Sequence, residues 1–345
     1  MGTLCVIDVS AVVHTGENSP LYQNRTSFGY PVGGIHFFMS QLLVAYYESN
    51  DIILCFDSPN FRSKLQSSYK SGRSRNAAAI SEIEALYENL QYCGFPCYKQ
   101  DGYEADDIIE WVVEQNWRKY TSIIIVGNDK DLCHSLRPNV IFRACRSDMN
   151  LVRRASFPDA VIKGAYVPFN MVSIYKCLCG CQSDSVPVFR LEDGRSGVEL
   201  YGQCVQDYEQ IGITDDYYKT TSIQIFKAWA ASKANFSAAD MENLDVRIQL
   251  IFPAECPEGL TFETVNKYQM DIEKISRVLT LFNVNDALHG GEFWRVNLSD
   301  EDKQIIYDLA NKYKSGVFNA DKNIPMTESL VRSTPLRLDS FSKDF

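Results

Sequence analysis

Seven carboxylates stand where short apolar runs end. Leu4-Cys5-Val6-Ile7 leads to Asp8, and Ile52-Ile53-Leu54-Cys55-Phe56 to Asp57. Phe95-Pro96-Cys97-Tyr98 leads to Glu104, Asp106 and Asp107, and Ile123-Ile124-Ile125-Val126 to Asp129 and Asp131. Carboxylates as crowded as those of Gly102-Tyr103-Glu104-Ala105-Asp106-Asp107 repel one another, so a shared pocket is costly unless a cation sits there. Acids also suit a helix N-terminus on dipole grounds alone, but that does not account for their recurrence at one run end after another. Oxygen donors without a histidine or cysteine partner suit a hard ion, Mg²⁺ or Mn²⁺. Enough of them for two ions points to in-line phosphodiester hydrolysis, one ion activating water and both stabilising the charged oxygens. A Gly-rich phosphate cradle is absent from the sequence, and Gly33-Gly34 alone is weak.

A sheet would bring these acids together. The apolar runs lack polar alternation, as expected of strands covered on both faces, and Val140-Ile141-Phe142 reads as one more. Between them, apolar residues recur at helical spacing: Ile35, Phe38, Met39, Leu42, Leu43 and Tyr46 after Gly33-Gly34, then Ile80, Ile83, Tyr87 and Leu90 from about Ala77 to Gly94. Ile108, Ile109, Val112 and Val113 repeat the pattern behind the acids. Strands alternating with helices predict an α/β fold with a doubly wound, mainly parallel sheet, its functional crevice beyond the carboxyl ends of the strands. Beyond Ser185 the pattern is mainly helical, with helices expected over 270–282 and from Ser299-Asp300-Glu301-Asp302 to Tyr313. From about Lys322 the chain is a polar tail bearing Pro and Ser.

The 345-residue chain is 45% hydrophobic, enough for two domains or one large one with an appendage. Apolar runs fall short of the roughly 18 residues that span a bilayer, and the N-terminus lacks a signal pattern, so a cytoplasmic protein without a membrane partner is expected. The cysteines number 11 and lie mostly inside apolar runs, as reduced core residues would. Cys177-Leu178-Cys179-Gly180-Cys181 hints at a soft-metal site, but zinc usually draws on two separated ligand pairs, and the histidines are scattered. A net charge of -10 opposes a polyanionic partner only on average; the local field is what steers phosphates. Arg62, Lys64, Lys70, Arg73 and Arg75 cluster with Phe61 and Tyr69, and Arg137, Arg143, Arg146, Arg153 and Arg154 form a second basic group. The first cluster reads as a nucleic-acid contact in which Arg62, Lys64, Tyr69, Lys70, Arg73 and Arg75 hold phosphate and stack a base. An exposed connecting loop is the alternative.

Asp8, Phe56-Asp57 followed by Arg62 and Tyr69-Lys70-x-x-Arg73, Tyr103-Glu104-Ala105-Asp106-Asp107 and Asp129-Lys130-Asp131 occur in an order that resembles the 5′ nuclease family. That family includes flap endonucleases, the 5′ nuclease domain of bacterial DNA polymerase I and bacteriophage RNase H enzymes, and the chain looks most like the last. The resemblance implies a PIN-like core over residues 1–176 with an arch at about 60–98, a helical DNA-binding-type domain over 177–321 with a degenerate helix-turn-helix element, and a tail over 322–345. It implies a metal-dependent, structure-specific 5′ nuclease acting on flapped or branched DNA and on RNA–DNA hybrids, with primer removal in phage-type replication as its role. Asp8, Asp57, Glu104 and Asp106 would hold the first Mg²⁺, and Asp107, Asp129, Asp131 and Asp184 the second, with Mn²⁺ able to substitute. Lys70, Arg73 and Asp106 would be catalytic. The Leu and Phe residues of the tail suggest docking on a single-strand binding protein or a sliding clamp. The alternatives are a catalytically weakened relative that binds branched DNA, and a PIN-type ribonuclease.

Two departures stand out. Where the family reads Gly-Asp-x-x-Asp-Asn-Ile-Pro, this chain reads Gly180-Cys181-Gln182-Ser183-Asp184-Ser185-Val186-Pro187, so a thiol takes a usual carboxylate position. A neutral thiol is a poor Mg²⁺ ligand. The Gly-rich element that grips duplex DNA through potassium reads Leu191-Glu192-Asp193-Gly194-Arg195-Ser196-Gly197-Val198, with two acids added.

Overall fold

The computed structural model describes residues 2–266 apart from 20–25, 28–29, 60, 72–75, 146–151, 154–158, 163–164, 169–170 and 212–218. Arg73, Arg75, Arg146, Arg154, the helices expected over 270–282 and from 299 to 313, and the tail lie outside the described residues.

In chain order the elements are β1 (Thr3–Asp8), α1 (Val9–Glu17), a short ribbon β2 (Thr26–Ser27) and β3 (Tyr30–Pro31), α2 (Gly33–Glu48), β4 (Asp51–Phe56), α3 (Arg62–Leu65) and α4 (Ala77–Tyr92). There follow β5 (Cys97–Lys99), α5 (Ala105–Asn116), β6 (Ser122–Gly127), a 3₁₀ helix (Lys130–Ser135), β7 (Val140–Ala144), β8 (Val152–Arg153) and a hairpin of β9 (Asp159–Ile162) and β10 (Ala165–Pro168). The last are α6 (Val172–Cys179), α7 (Gly197–Ile211), α8 (Lys219–Ser232), α9 (Ala238–Ile251) and β11 (Val265–Asn266).

Five strands run parallel in the order β5-β4-β1-β6-β7. Antiparallel β11 and β8 join at the two sides. The chain builds outward from β1 to β4 and β5, then returns to the other flank of β1 for β6 and β7. The loops after β1 and β6 therefore diverge, and a crevice opens beyond their carboxyl ends. Asp8 closes β1, and Asp129 lies just past β6.

Successive strand residues face opposite sides of a sheet. Leu4 and Val6 enter one apolar cluster with Ile53, Cys55, Ile123, Ile125 and the α5 residues Ile108, Ile109 and Val112. Cys5 and Ile7 enter the other with Ile52, Leu54, Phe56 and residues of α1, α2 and α4. Both faces are covered, so the strands have no polar side, which is why the apolar runs show no alternation.

Two of the expected boundaries fall within packed elements. Of the arch expected at about 60–98, α4 is part of the packed layer: Ala79, Ala85, Leu86 and Leu90 belong to the second cluster, so its apolar face leaves it no freedom to stand over the crevice. The break at 176/177 falls inside α6, whose Cys177 and Leu178 share one cluster with Leu4 and Val6 of β1, Leu200 of α7, Phe226 of α8 and Leu244 of α9. The C-terminal helices thus complete the first face of the core. Among the described residues no helix is long and apolar enough to cross a membrane.

Candidate metal centre

Four aspartates each have one oxygen held by a backbone N–H. Asp8 caps α1, its Oδ1 accepting from Ala11 N at 2.9 Å. Asp57 Oδ1 accepts from Ala105 N, which opens α5, at 2.8 Å. Asp106 Oδ1 accepts from Asp107 N at 2.8 Å, and Asp129 Oδ1 from Asp131 N at 3.0 Å. Among the described residues the second oxygen of each accepts no further hydrogen bond. An anchored oxygen fixes the direction of its carboxylate and leaves the other to a ligand. The charges feel one another. Burial, and after it the charges of Asp57 and Asp129, pushes the Asp8 carboxyl up to about 8. Burial, and after it Asp107 and Glu104, raises Asp106 well above the usual carboxylate range.

Asp107, expected as a metal ligand, is an anchor instead. Its Oδ1 accepts from Arg62 Nη2 at 2.7 Å and from Ala254 N at 2.6 Å. Its Oδ2 accepts from Arg62 Nη1 at 2.8 Å and from Glu104 N at 3.0 Å. Burial raises its pKa, but the Arg62 guanidinium outweighs burial and holds it below the usual range. Two bonds to each oxygen leave no lone pair for an ion.

Arg62, expected to touch phosphate, is only 1% exposed and also donates to Glu104 Oε2 at 2.9 Å and Phe252 O at 3.1 Å. Tyr69, expected to stack a base, is buried; its hydroxyl donates to Glu104 Oε2 at 3.0 Å, and it shares an apolar cluster with Cys181, Val186 and Leu250. Both sit under the crevice floor because Glu104 is a buried anion that needs donors. Lys70 pairs with Glu104 Oε1, so Glu104 meets an ion only where Lys70 gives way. Lys64 is exposed.

At the β6 end the structure adds a residue that sequence reasoning missed. Lys176 of α6 pairs with Asp131, and its Nζ lies 3.9 Å from Asp184 Oδ2. Burial, and after it Asp129, raises Asp131 to about 6, against the pull of Lys176. Cys181 Sγ donates to Asp184 Oδ2 at 2.9 Å and lies 3.0 Å from Ser183 Oγ. The signal was available: a lysine inside the apolar run Val172-Ser173-Ile174-Tyr175-Lys176-Cys177-Leu178-Cys179 must find an anion, because an unpaired buried ammonium is far too costly. The neighbouring thiols do not converge, since Cys177 Sγ faces Arg247 O and Cys179 Sγ faces Gly197 O.

Among the described residues no group of three His, Cys, Asp or Glu side chains is arranged to enclose one ion. In kind, the donors of Asp8, Asp57, Asp106 and Asp129 fit a hard divalent cation: all are carboxylate oxygen, anchored on one side and repelling on the other.

The profile of the 5′-3′ exonuclease N-terminal resolvase-like domain matches residues 3–161. A 5′-3′ exonuclease of Aquifex aeolicus is 27% identical over 294 residues, 84% of this chain and 94% of that protein. DNA polymerase I of Deinococcus radiodurans is 30% identical over 219 residues, 60% of this chain, and the chain spans only 22% of that polymerase. The solved structure of T5 5′-exonuclease with bound zinc ions superposes over 89% of this chain and 99% of its own, with a TM-score of 0.46 and 14% identity. Over residues 3–161 the chain is thus similar to the N-terminal resolvase-like domain of 5′-3′ exonucleases.

Proposed function

We propose that the chain is a divalent-metal-dependent 5′ nuclease of the RNase H or flap endonuclease type. The observation that carries this reading is the set of aspartates at four parallel strand ends, each with one oxygen tied to a backbone amide and one left over. Asp8, Asp57, Asp106 and Asp129 would hold Mg²⁺ or Mn²⁺. A bound ion would lower the pKa of its water and stabilise charge on the phosphate oxygens.

The remaining work falls to the chain itself. Arg62 and Asp107 lock the start of α5 to the segment after α9, which keeps Asp106 aimed at the crevice. Lys70, on a loop at a φ of 53° with its side chain 22% exposed, can exchange Glu104 for a substrate phosphate by side-chain rotation. Exposed Lys64 continues that basic side, toward Arg73 and Arg75 in the sequence. The family supports nucleic acid as substrate. Within that class we assign flapped or branched DNA and RNA–DNA hybrids, with primer removal as the process served.

The test is cleavage of a 5′-labelled flap duplex and of an RNA–DNA hybrid in Mg²⁺, in Mn²⁺ and in EDTA. Cleavage that needs the metal and disappears in Asp106→Asn supports the reading. A wild-type protein inert in both metals, yet binding the flap, replaces it with a non-catalytic binder of branched DNA.

A further inference from the structure

The two ends of the crevice differ in the cation that each carries. Lys70 stands on a loop with its side chain 22% exposed and can leave Glu104. Lys176 is fixed. It belongs to α6, whose residues are all buried, and its side chain is 9% exposed. Its ammonium pairs with Asp131 and reaches to 3.9 Å from Asp184 Oδ2. Leaving would strand the buried charges of Lys176 and Asp184 and the half-buried charge of Asp131.

Cys181 works in the same direction. Its Sγ sits 2.9 Å from Asp184 Oδ2 as a donor, which occupies one of the oxygens an ion would need. Burial pushes the thiol's pKa up further, so it brings no charge at neutral pH. Against the family pattern, this end of the crevice has lost an anion at Cys181 and holds a fixed ammonium at Lys176. A divalent ion placed among Asp131 and Asp184 would face that ammonium at close range, in a site too little exposed for solvent to screen much of the repulsion.

We propose that Lys176 is the built-in cation of the Asp131–Asp184 end, so that the chain takes one divalent ion, at the Asp8 end of the crevice, rather than two. The proposal rests on the metal reading of the same crevice and adds its stoichiometry. Asp131 and Asp184 then hold Lys176, and through it α6, against the sheet, while Lys176 supplies a permanent positive charge to one side of the bound phosphate.

The experiment counts ions and does not depend on turnover. Mn²⁺ is titrated into metal-free full-length chain at neutral pH and bound ions are counted by electron paramagnetic resonance, with circular dichroism confirming the fold of each variant. Wild type is expected to bind one Mn²⁺. The double variant Lys176→Met with Cys181→Asp is expected to bind two, because it exchanges the cation for a neutral chain and restores the anion. Cys181→Asp alone keeps Lys176 and is expected to stay at one, so it decides the matter if the double variant does not fold. Two ions in the wild type, two in Cys181→Asp, or one in a folded double variant overturns the proposal. A wild type that binds no ion removes the metal reading itself, whereas one bound ion without cleavage of any substrate leaves the stoichiometry standing and rejects only the nuclease activity.

Discussion

Arg62 and Asp107 grip each other through two parallel hydrogen bonds of 2.8 and 2.7 Å, at a point where the arginine is 1% exposed and the aspartate 0%. The same guanidinium donates to Glu104 and to Phe252 O, so the start of α5 and the chain after α9 meet on one cation. Two residues that look like site chemistry in the sequence are the mortar beneath it.

Removing one partner of such a pair leaves a buried charge uncompensated, which costs about 3–5 kcal/mol. Arg62→Ala is therefore expected to lower the unfolding free energy by about that much in urea titrations at neutral pH. Arg62→Lys recovers little, because a lysine cannot form the two-pronged bond. The sign of the pH effect follows from the depressed Asp107 pKa. Its stabilisation is complete above the unfolded value near 4 and is lost as pH falls through the lower folded value, so the gap between wild type and Arg62→Ala narrows in acid.

Asp106→Asn separates activity from stability. Losing one carboxylate of a metal centre removes several kcal/mol of transition-state charge stabilisation, a fall in cleavage rate of at least about a thousandfold. Metal-free thermal stability should hold or rise, since the charge removed is half-buried and lies beside the like charges of Asp107 and Glu104. A melting temperature well below that of the wild type would mean that Asp106 holds the fold instead of a ligand.

Metal removal should make stability depend on pH in a definite direction. Asp8 and Asp131, raised to about 8 and about 6, bind protons more tightly folded than unfolded. Their contribution is complete below the unfolded value near 4 and is lost as pH climbs through these folded values. In EDTA the melting temperature should fall between about pH 5 and pH 9, and Mg²⁺ should offset most of that fall by neutralising the carboxylates. Asp8→Asn should flatten the EDTA profile. A profile rising with pH in EDTA would contradict the shared burial of these acids.

Gly197 tests the packing of α7 on α6. A Cβ there would lie 1.8 Å from Leu178 O, a backbone atom that cannot step aside. Gly197→Ala should destabilise by about 1–3 kcal/mol or more. Gly202, on the same helix with nothing within 4 Å of its added Cβ, is the control: Gly202→Ala should be neutral or stabilising by up to about 1 kcal/mol.

The parallel core was largely legible. The Leu4–Ile7, Ile52–Phe56 and Ile123–Val126 runs are strands because buried central strands have no polar face to hide. The run at Phe95–Tyr98 is displaced to Cys97–Lys99, since Phe95 N still closes the turn after α4 on Leu90 O and Pro96 has no N–H to donate. α1 is hard to see: Val9, Val12 and Val13 are β-branched and follow a strand directly, and only the Asp8 side chain capping Ala11 N marks the change.

By itself, then, the sequence determined that acids would follow apolar strands and that parallel strands would carry them to one edge, because both depend on neighbours a few residues apart. Which of those acids remain open was decided only in three dimensions. Asp107 is consumed by Arg62 and by Ala254 N, Asp131 by Lys176, and Asp184 by Cys181, while Asp8, Asp57, Asp106 and Asp129 each bond a single amide among the described residues. A buried charge must be matched by whatever the fold brings beside it, and several of these matches come from far along the chain, where no local pattern records them.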